Sequence, residues 1–218
     1  MNLYPAILTG SNKEAQQQVM WIASYSKIRT VQVDIIDGQF VENVTITPSD
    51  LPMIDFGELS IDLHLMAEEP LDFVYEALEH KDVLSIRSII AQVERMSSQV
   101  DYVETVQKNG WQVGFSLDAF TPFDAIDEAS WDAVDIVQLM GIEAGFQGQE
   151  FRPATLENIK NLVAIREQLG RNFEIIIDGG VKPDVVQKIE AAGADSVVVG
   201  SGLWKSDDLT QAVTTYSS

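Results

Sequence analysis

The chain has 218 residues, no cysteine, two histidines, and 34 acidic against 14 basic side chains, which gives a formal net charge of −20. This charge repels the phosphates of nucleic acids and of anionic membrane surfaces, so we expect neither partner. The lack of cysteine excludes disulfides, thiolate nucleophiles and cysteine-ligated metals, and it leaves carboxylates as the main ligands for any metal.

No linker, low-complexity stretch or membrane-length apolar run divides the sequence, and the first residues lack a basic or apolar leader pattern. The length suits one large α/β core. We therefore expect a single domain over residues 1–218 and a cytoplasmic location.

Strand-like and helix-like segments alternate along the whole chain. The predicted strands are Ala6–Thr9, Thr30–Ile36, Leu59–Met66, Val83–Ile86, Trp111–Leu117, Ala133–Met140, Phe173–Asp178 and Ser196–Val199. The predicted helices are Asn12–Ser24, Pro70–Glu79, Ile90–Asn109, Pro122–Ala129, Ala154–Leu169, Pro183–Ala192 and Asp207–Tyr216. Between Phe40 and Glu58, where two prolines occur, we expect only a short helix and a loop. Eight strand-helix units favour an α/β fold, a closed (β/α)8 TIM barrel, over an open doubly wound sheet.

Two aspartates near the ends of buried strand-like runs are the main catalytic candidates: Asp34 in Val31–Gly38 and Asp178 before Gly179. The carboxyl ends of barrel strands carry the chemistry of this fold. Two carboxylates that converge there suit proton transfer at carbon, with one as the base and the other as the acid. Because strand residues alternate, Gln32 shares the inward face with Asp34, and His64 could join them.

The candidate residues at strand ends also have structural interpretations. They are Thr9, Gln32, Asp34, Asp37, His64, Met66, Arg87, Asp118, Met140, Asp178 and Ser201. An aspartate before glycine is often a turn former, and a lone strand histidine is more often a core residue. Met66 and Met140 are most simply core or pocket lining, because their flexible side chains fill irregular space.

Glycine-rich segments follow the last three predicted strands, and they form the second candidate site. In α/β barrels the loops after the seventh and eighth strands commonly bind phosphate through backbone N–H groups, and local amide dipoles can hold an anion even in an acidic protein. The predicted phosphate-binding residues are Gly145, Phe146, Gln147, Gly148, Gly179, Gly180, Gly200 and Ser201. Thr9, His64, Met66 and Met140 complete the predicted substrate site.

In this order, the segments resemble the ribulose-phosphate 3-epimerase family over nearly the whole chain. Residues 33–43, Val-Asp-Ile-Ile-Asp-Gly-Gln-Phe-Val-Glu-Asn, are similar to the family's Val-Asp-Val-Met-Asp-Gly-His-Phe-Val-Pro-Asn. Residues 62–66 are similar to its Asp-x-His-Leu-Met, residues 139–151 to its sixth loop, and residues 178–181 to its seventh strand end. The resemblance implies a homo-oligomeric barrel that interconverts D-ribulose 5-phosphate and D-xylulose 5-phosphate through a 2,3-enediolate, with Asp34 and Asp178 as the acid and base.

The resemblance also implies a divalent metal (Zn, Fe, Mn or Mg) held by Asp34, Asp178 and two histidines. One of these histidines matches His64, whereas the other falls at Gln32. A neutral amide is a poorer ligand than imidazole for Zn²⁺ or Fe²⁺, so we expect weaker metal binding than in ordinary members. Further departures from the family pattern are Thr9, Ile36, Gln39, Ser85-Ile86-Arg87 and Glu143-Ala144.

Three hypotheses about function follow. The first is a ketose-phosphate 3-epimerase, and the second is an epimerase or isomerase acting on another phosphorylated sugar such as a hexulose 6-phosphate. The third is a noncatalytic sugar-phosphate-binding barrel whose metal site has decayed. Retention of both Asp34 and Asp178 argues against the third, because burying two carboxylates beside an anionic ligand is costly.

Overall fold

The structure is a computed structural model that describes residues 1–146 and 148–216. Eight parallel strands form a closed barrel in chain order, with β1 pairing with β8. The strands are β1 (Asn2–Ile7), β2 (Thr30–Ile36), β3 (Ser60–Met66), β4 (Ile86–Gln92), β5 (Gln112–Leu117), β6 (Ile136–Met140), β7 (Glu174–Asp178) and β8 (Ser196–Val199). The predicted TIM barrel is confirmed.

Seven α-helices surround this barrel within the described residues. They are α1 (Asn12–Ala23), α2 (Pro70–Leu78), α3 (Gln99–Lys108), α4 (Thr155–Leu169), α5 (Pro183–Ala192), α6 (Ser201–Trp204) and α7 (Leu209–Tyr216). Short 3-10 helices occupy Pro48–Met53, Val93–Arg95, Phe123–Ala125 and Glu128–Ala133. Across residues 1–146 and 148–216, none of the helices has the length and apolar character needed to cross a bilayer.

The alternation of side chains in β2 shows how the sequence divides the barrel into two buried regions. Val31, Val33 and Ile35 belong to the large core between the strands and the helices, where β-branched side chains pack well. Ile36 instead packs with Met66 and Met140 in a separate cluster inside the barrel. Gln32 and Asp34 are two-residue steps from Ile36, so both point into the same lumen.

Two strands differ from their predicted ranges at both ends. Strand β1 starts at Asn2 and ends before Thr9, because Asn2 to Pro5 pair with Ser196 to Val199 of β8 even though a proline weakens the strand pattern. Strand β4 is Ile86–Gln92, where the sequence predicts a strand ending at residue 86 and a helix beginning at residue 90. A short apolar run fits either structure, and here burial on both faces decides for the strand.

The second and fifth connections have no α-helix among the described residues. Pro48–Met53 is a 3-10 helix, which agrees with the expected short helix and loop. The helix predicted for residues 122–129 is wrong, because that stretch contains the 3-10 turn Phe123–Ala125 and the start of a second one at Glu128. Proline at residue 122 has a φ of −73° and a ψ of 156°, which is extended and not helical.

A network of polar side chains closes the amino-terminal end of the lumen. Arg87 donates from Nε to Asp62 Oδ1 at 2.8 Å and from Nη1 to Glu174 Oε2 at 3.3 Å. Tyr4 donates its hydroxyl to Glu174 Oε1 at 2.7 Å. The expectation that Arg87 lies at a carboxyl strand end is wrong, because β4 starts at residue 86.

Candidate active site

Asp34 and Asp178 meet at the carboxyl end of the lumen, as the sequence predicts. Asp34 is in β2 and Asp178 is the last residue of β7, and both side chains are buried. The amide of Gln32 joins them, because its Nε2 lies 2.7 Å from Asp34 Oδ1 and 2.7 Å from Asp178 Oδ2. One NH₂ group has two hydrogens, so both are used on the two carboxylates.

His64 completes this group from β3, where it is the register partner of Asp34. Its Nδ1 lies 3.1 Å from Asp34 Oδ1 and 3.3 Å from Asp178 Oδ2. Complete burial alone would lower the pKa of His64, but hydrogen bonds to Asp178 and Asp34, together with their charges, raise the pKa to about 9. The imidazole is therefore a cation near neutral pH when no metal is bound.

The side-chain amide of Gln92, on β4, lies 3.3 Å from Nε2, the other ring nitrogen of His64. With its amide turned by 180°, Gln92 donates to the Ser116 carbonyl at 3.1 Å and to Glu94 at 3.0 Å, and accepts from the Ser116 hydroxyl at 3.2 Å. This orientation is preferred because it satisfies both ends of the amide, and it presents Oε1 to His64 Nε2.

The two carboxylates do not share the same surroundings. Burial raises the pKa of the Asp34 carboxyl and the charge of Asp178 raises it further, whereas hydrogen bonds from His64 and Gln32 act in the opposite direction. The net direction is upward. The raised pKa favours a proton on the Asp34 carboxyl, and a protonated carboxyl is the form that can act as an acid in two-sided proton transfer.

Asp34, His64 and Asp178 form a group that could hold a metal ion, because their ligand atoms all lie within 4.8 Å of one another. Two carboxylate oxygens and one imidazole nitrogen suit a divalent transition metal. Gln32 does not fit as a fourth ligand in the observed orientation, because it presents N–H hydrogens and not Oε1 to the same oxygens. The three ionisable side chains fit the ion, whereas the amide competes with it.

Above the carboxylates lies a cavity of about 270 Å³. Its floor contains Asp34 and Asp178, and Met66 and Met140 line it. Seven of the residues predicted to bind phosphate also line the cavity: Gly145, Phe146, Gly148, Gly179, Gly180, Gly200 and Ser201. Gln147 lies outside the described residues.

Glycine is required in these loops because neighbouring backbone comes close. Gly180 has a φ of +68°, and a Cβ atom there would lie 2.7 Å from the backbone nitrogen of Phe151. Gly145 has a φ of +103°, and its carbonyl accepts from Asn43 Nδ2 at 2.8 Å. The loop after β2 is thereby tied to the loop after β6 across the mouth of the cavity.

The model of the "Ribulose-phosphate 3 epimerase family" matches residues 2–204. The chain belongs to this family. The chloroplastic ribulose-5-phosphate-3-epimerase of Arabidopsis thaliana is 30% identical over 211 residues, covering 96% of this chain and 73% of that protein. The ribulose-phosphate 3-epimerase of Escherichia coli (strain K12) is 31% identical over 186 residues, covering 84% of this chain and 80% of that protein.

Solved structures of other barrel enzymes agree with the fold of this epimerase-family chain. A 3-hexulose-6-phosphate synthase has a TM-score of 0.67 and 16% identity, and covers 99% of this chain and 98% of its own. A mutant tryptophan synthase alpha-subunit from Pyrococcus furiosus has a TM-score of 0.71 and 15% identity, and the match covers 99% of this chain and 97% of that one. At this identity the likeness concerns the fold alone.

Two other strand-end candidates have structural partners. Thr9 donates to Glu14 at 2.7 Å and accepts from the Ser11 N–H at 3.1 Å, beside the start of α1, and it is not among the residues that line the cavity. Asp37 accepts from the N–H groups of Gln39 and Phe40 at 2.8 and 2.9 Å, so it shapes the turn after β2. A role for Thr9 in substrate binding stays a prediction.

Sequence reasoning missed Gln138 and the two lysines that line the cavity, Lys182 and Lys205. Gln138 Nε2 lies 3.1 Å from Asp178 Oδ2 and 3.2 Å from His64 Nδ1. Gln138 precedes Met140 by two residues in β6, so the alternation that singles out Gln32 beside Asp34 also predicts its inward position. The lysines follow β7 and β8 in loops, where no periodic pattern marks them.

Proposed function

We propose that this chain is a ketose-phosphate 3-epimerase that interconverts D-ribulose 5-phosphate and D-xylulose 5-phosphate, with Asp34 and Asp178 as its acid and base. The observation that carries the proposal is the pair of buried carboxylates on β2 and β7, joined through Gln32 at the floor of a cavity with glycine-lined loops on its other side. The curated relatives of the same family carry epimerase names.

The proton transfers balance within the aspartate pair. The ionised aspartate takes the proton from C3 of the substrate, and the electron pair of the C–H bond forms the C2–C3 double bond while the C2 carbonyl oxygen gains the negative charge. The protonated aspartate then delivers its proton to the opposite face of C3, and the carbonyl forms again. The pair holds one proton before and after the reaction, with its position exchanged.

A divalent ion held by Asp34, His64 and Asp178 would supply positive charge for the oxygen that becomes negative. The chain's own contribution is to place His64 at 3.1 and 3.3 Å from the two carboxylates and to bury the group away from water. Burial strengthens these interactions, because the local dielectric constant is lower than that of water.

The cavity wall suits a terminal phosphate. The glycine residues after β7 and β8 leave backbone N–H groups accessible, and Ser201 adds a hydroxyl. Lys205 and Lys182 also line this wall, and neither has an ion pair with an acidic side chain among the described residues. Two unpaired cations on the phosphate side of a chain with a net charge of −20 support a phosphorylated ketose as the substrate. A homo-oligomeric state and a cytoplasmic location stay predictions.

The test is epimerisation of D-ribulose 5-phosphate together with exchange of the C3 hydrogen in deuterium oxide. Asp34→Asn and Asp178→Asn should each lower turnover at least about 100-fold, because either change removes one of the two proton carriers. Asp72→Asn, a matched change on the exposed surface of α2, should leave turnover unchanged. Absence of exchange in the unmodified protein, with or without added Zn²⁺, Mn²⁺, Fe²⁺ or Mg²⁺, would reject the pentulose-phosphate assignment.

A further inference from the structure

We propose that the side-chain amide of Gln32 takes the place of a divalent cation between Asp34 and Asp178, so that the two carboxylates work as an acid-base pair without a tightly bound metal. This inference rests on the proposed function for its catalytic part. Its structural part, that the amide and a cation compete for the same two oxygens, stands on the geometry of the buried group.

Gln32 Nε2 lies between the two carboxylates. It contacts one oxygen of each at 2.7 Å, which is a short hydrogen-bond distance. A cation that joined Asp34 and Asp178 through these two oxygens would compete with the NH₂ group for them. The NH₂ group therefore holds the two aspartates together, which is the structural task of the ion.

Asp178 Oδ2 has two further nitrogen neighbours besides Gln32 Nε2. Gln138 Nε2 also donates to this oxygen at 3.1 Å, and His64 Nδ1 lies 3.3 Å away. Three nitrogen atoms therefore surround one carboxylate oxygen. Donor hydrogens point where a metal would need lone pairs, so a cation can enter only if Gln32 turns its Oε1 inward.

Both Gln32 and Gln138 are buried from solvent. Gln32 is 1% exposed and Gln138 is fully buried, so water does not compete for their N–H groups. The Oε1 of Gln138 has no hydrogen-bond partner. An amide that leaves its own oxygen unsatisfied while its nitrogen contacts Asp178 shows that the carboxylates determine the orientation of the glutamines.

The structure assigns Gln32 a positioning role, because it holds Asp34 and Asp178 at a fixed separation and does not itself line the substrate cavity. The proton count of the reaction is unchanged. One aspartate accepts the C3 proton, the other donates its own, and the amide hydrogens stay on nitrogen throughout.

The test compares the unmodified protein with Gln32→His and Gln32→Met after removal of metal by a chelator. Calorimetric titration with Zn²⁺ and with Mn²⁺ should show weak binding to the unmodified protein and an affinity at least about tenfold higher for Gln32→His, which supplies an imidazole ligand. Turnover should survive the chelator in the unmodified protein and become metal-dependent in Gln32→His.

Gln32→Met keeps a side chain of similar length and removes both donors. It should lower kcat about 10- to 100-fold with little change in KM, because a hydrogen bond to a buried charge is lost without change to the cavity wall. Gln107→Met, on the exposed face of α3, is the matched control and should change neither kcat nor KM. Nitrogen-edited NMR of the unmodified protein should show slowly exchanging side-chain NH₂ pairs from the buried glutamines Gln32, Gln92 and Gln138, and only the pair of Gln32 should disappear in Gln32→Met.

Stoichiometric, tightly bound metal in the purified protein would overturn the inference, and so would turnover that chelation abolishes and metal restores. Unchanged kcat in Gln32→Met would also overturn it. The titrations and the amide resonances need no substrate, so they decide the competition between amide and cation even if the protein fails to epimerise D-ribulose 5-phosphate, which would reject the proposed function instead.

Discussion

The two ends of the barrel lumen each hold a pair of acidic side chains, and the partners that neutralise the two pairs differ. At the amino-terminal end, the guanidinium of Arg87 contacts both Asp62 and Glu174. At the carboxyl end, Asp34 and Asp178 contact amide N–H groups and His64. A permanent cation fixes the charge of its partners, whereas amides and an imidazole allow a proton to move. The first arrangement suits a fixed structural ion pair, and the second suits the proton transfer proposed for Asp34 and Asp178.

The largest expected effect is on catalysis at the carboxyl end. Asp34→Asn should lower kcat about 100- to 10,000-fold, because a general acid or base is lost. The free energy of unfolding should change little, because the relief of repulsion between the two carboxylates offsets the weaker attraction to His64. Steady-state kinetics and urea denaturation measure both quantities on the same preparation. A large loss of stability in Asp34→Asn would show that the two ends do not differ in this way.

The converse is expected at the amino-terminal end. Arg87→Met leaves Asp62 and Glu174 without their cation, and should lower the free energy of unfolding by about 3 kcal/mol. The kcat of the folded protein should stay close to that of the unmodified chain. The exposed pair of Arg29 and Glu58 provides the control, since Arg29→Met should cost less than about 1 kcal/mol. A lower kcat in fully folded Arg87→Met would contradict a purely structural role for the amino-terminal network.

The pH dependence of stability should distinguish His64 from Arg87. The pKa of His64 in the metal-free folded protein is about 9, above its ordinary value of about 6.5 in an unfolded chain. A raised pKa gives stability that is fully present below the unfolded value and is lost as the pH rises through the folded value. In chelator, the free energy of unfolding should therefore fall between about pH 6.5 and 9. His64→Gln should flatten this slope, and an equal slope in both proteins would refute the assignment.

The smallest expected effect is at the side of the cavity proposed to bind the substrate phosphate. Lys205→Met should raise KM for a phosphorylated ketose roughly tenfold with kcat nearly unchanged, because a cation that lines the cavity is removed away from the reacting carbon. Lys160→Met on α4 is the control, because Lys160 pairs with Glu157 on the exposed surface. Equal KM values for the two variants would remove Lys205 from the phosphate site.

The sequence predicted the barrel and the convergence of Asp34, His64 and Asp178, because strand periodicity and strand ends are local patterns. The family was predicted from the resemblance of several segments to its members. It placed Arg87 at the wrong end of its strand, because the apolar run Ile89-Ile90-Ala91 fits a helix as well as a strand. Gln138 was within reach of the same alternation that marks Gln32. The cavity lysines Lys182 and Lys205 could not be predicted from such a pattern, because the course of a loop depends on tertiary contacts that no short pattern contains.

The pairing of β1 with β8 joins segments from opposite ends of the chain, with Asn2 opposite Ser196. Loop-closure entropy makes so distant a contact slow to form, so barrel closure is expected as a late step of folding. During synthesis, β2 with Asp34 leaves the ribosome long before β7 with Asp178. The proposed proton-transfer pair therefore comes together only when the last strands are made, and an unfinished chain carries one of the two carboxylates without the other.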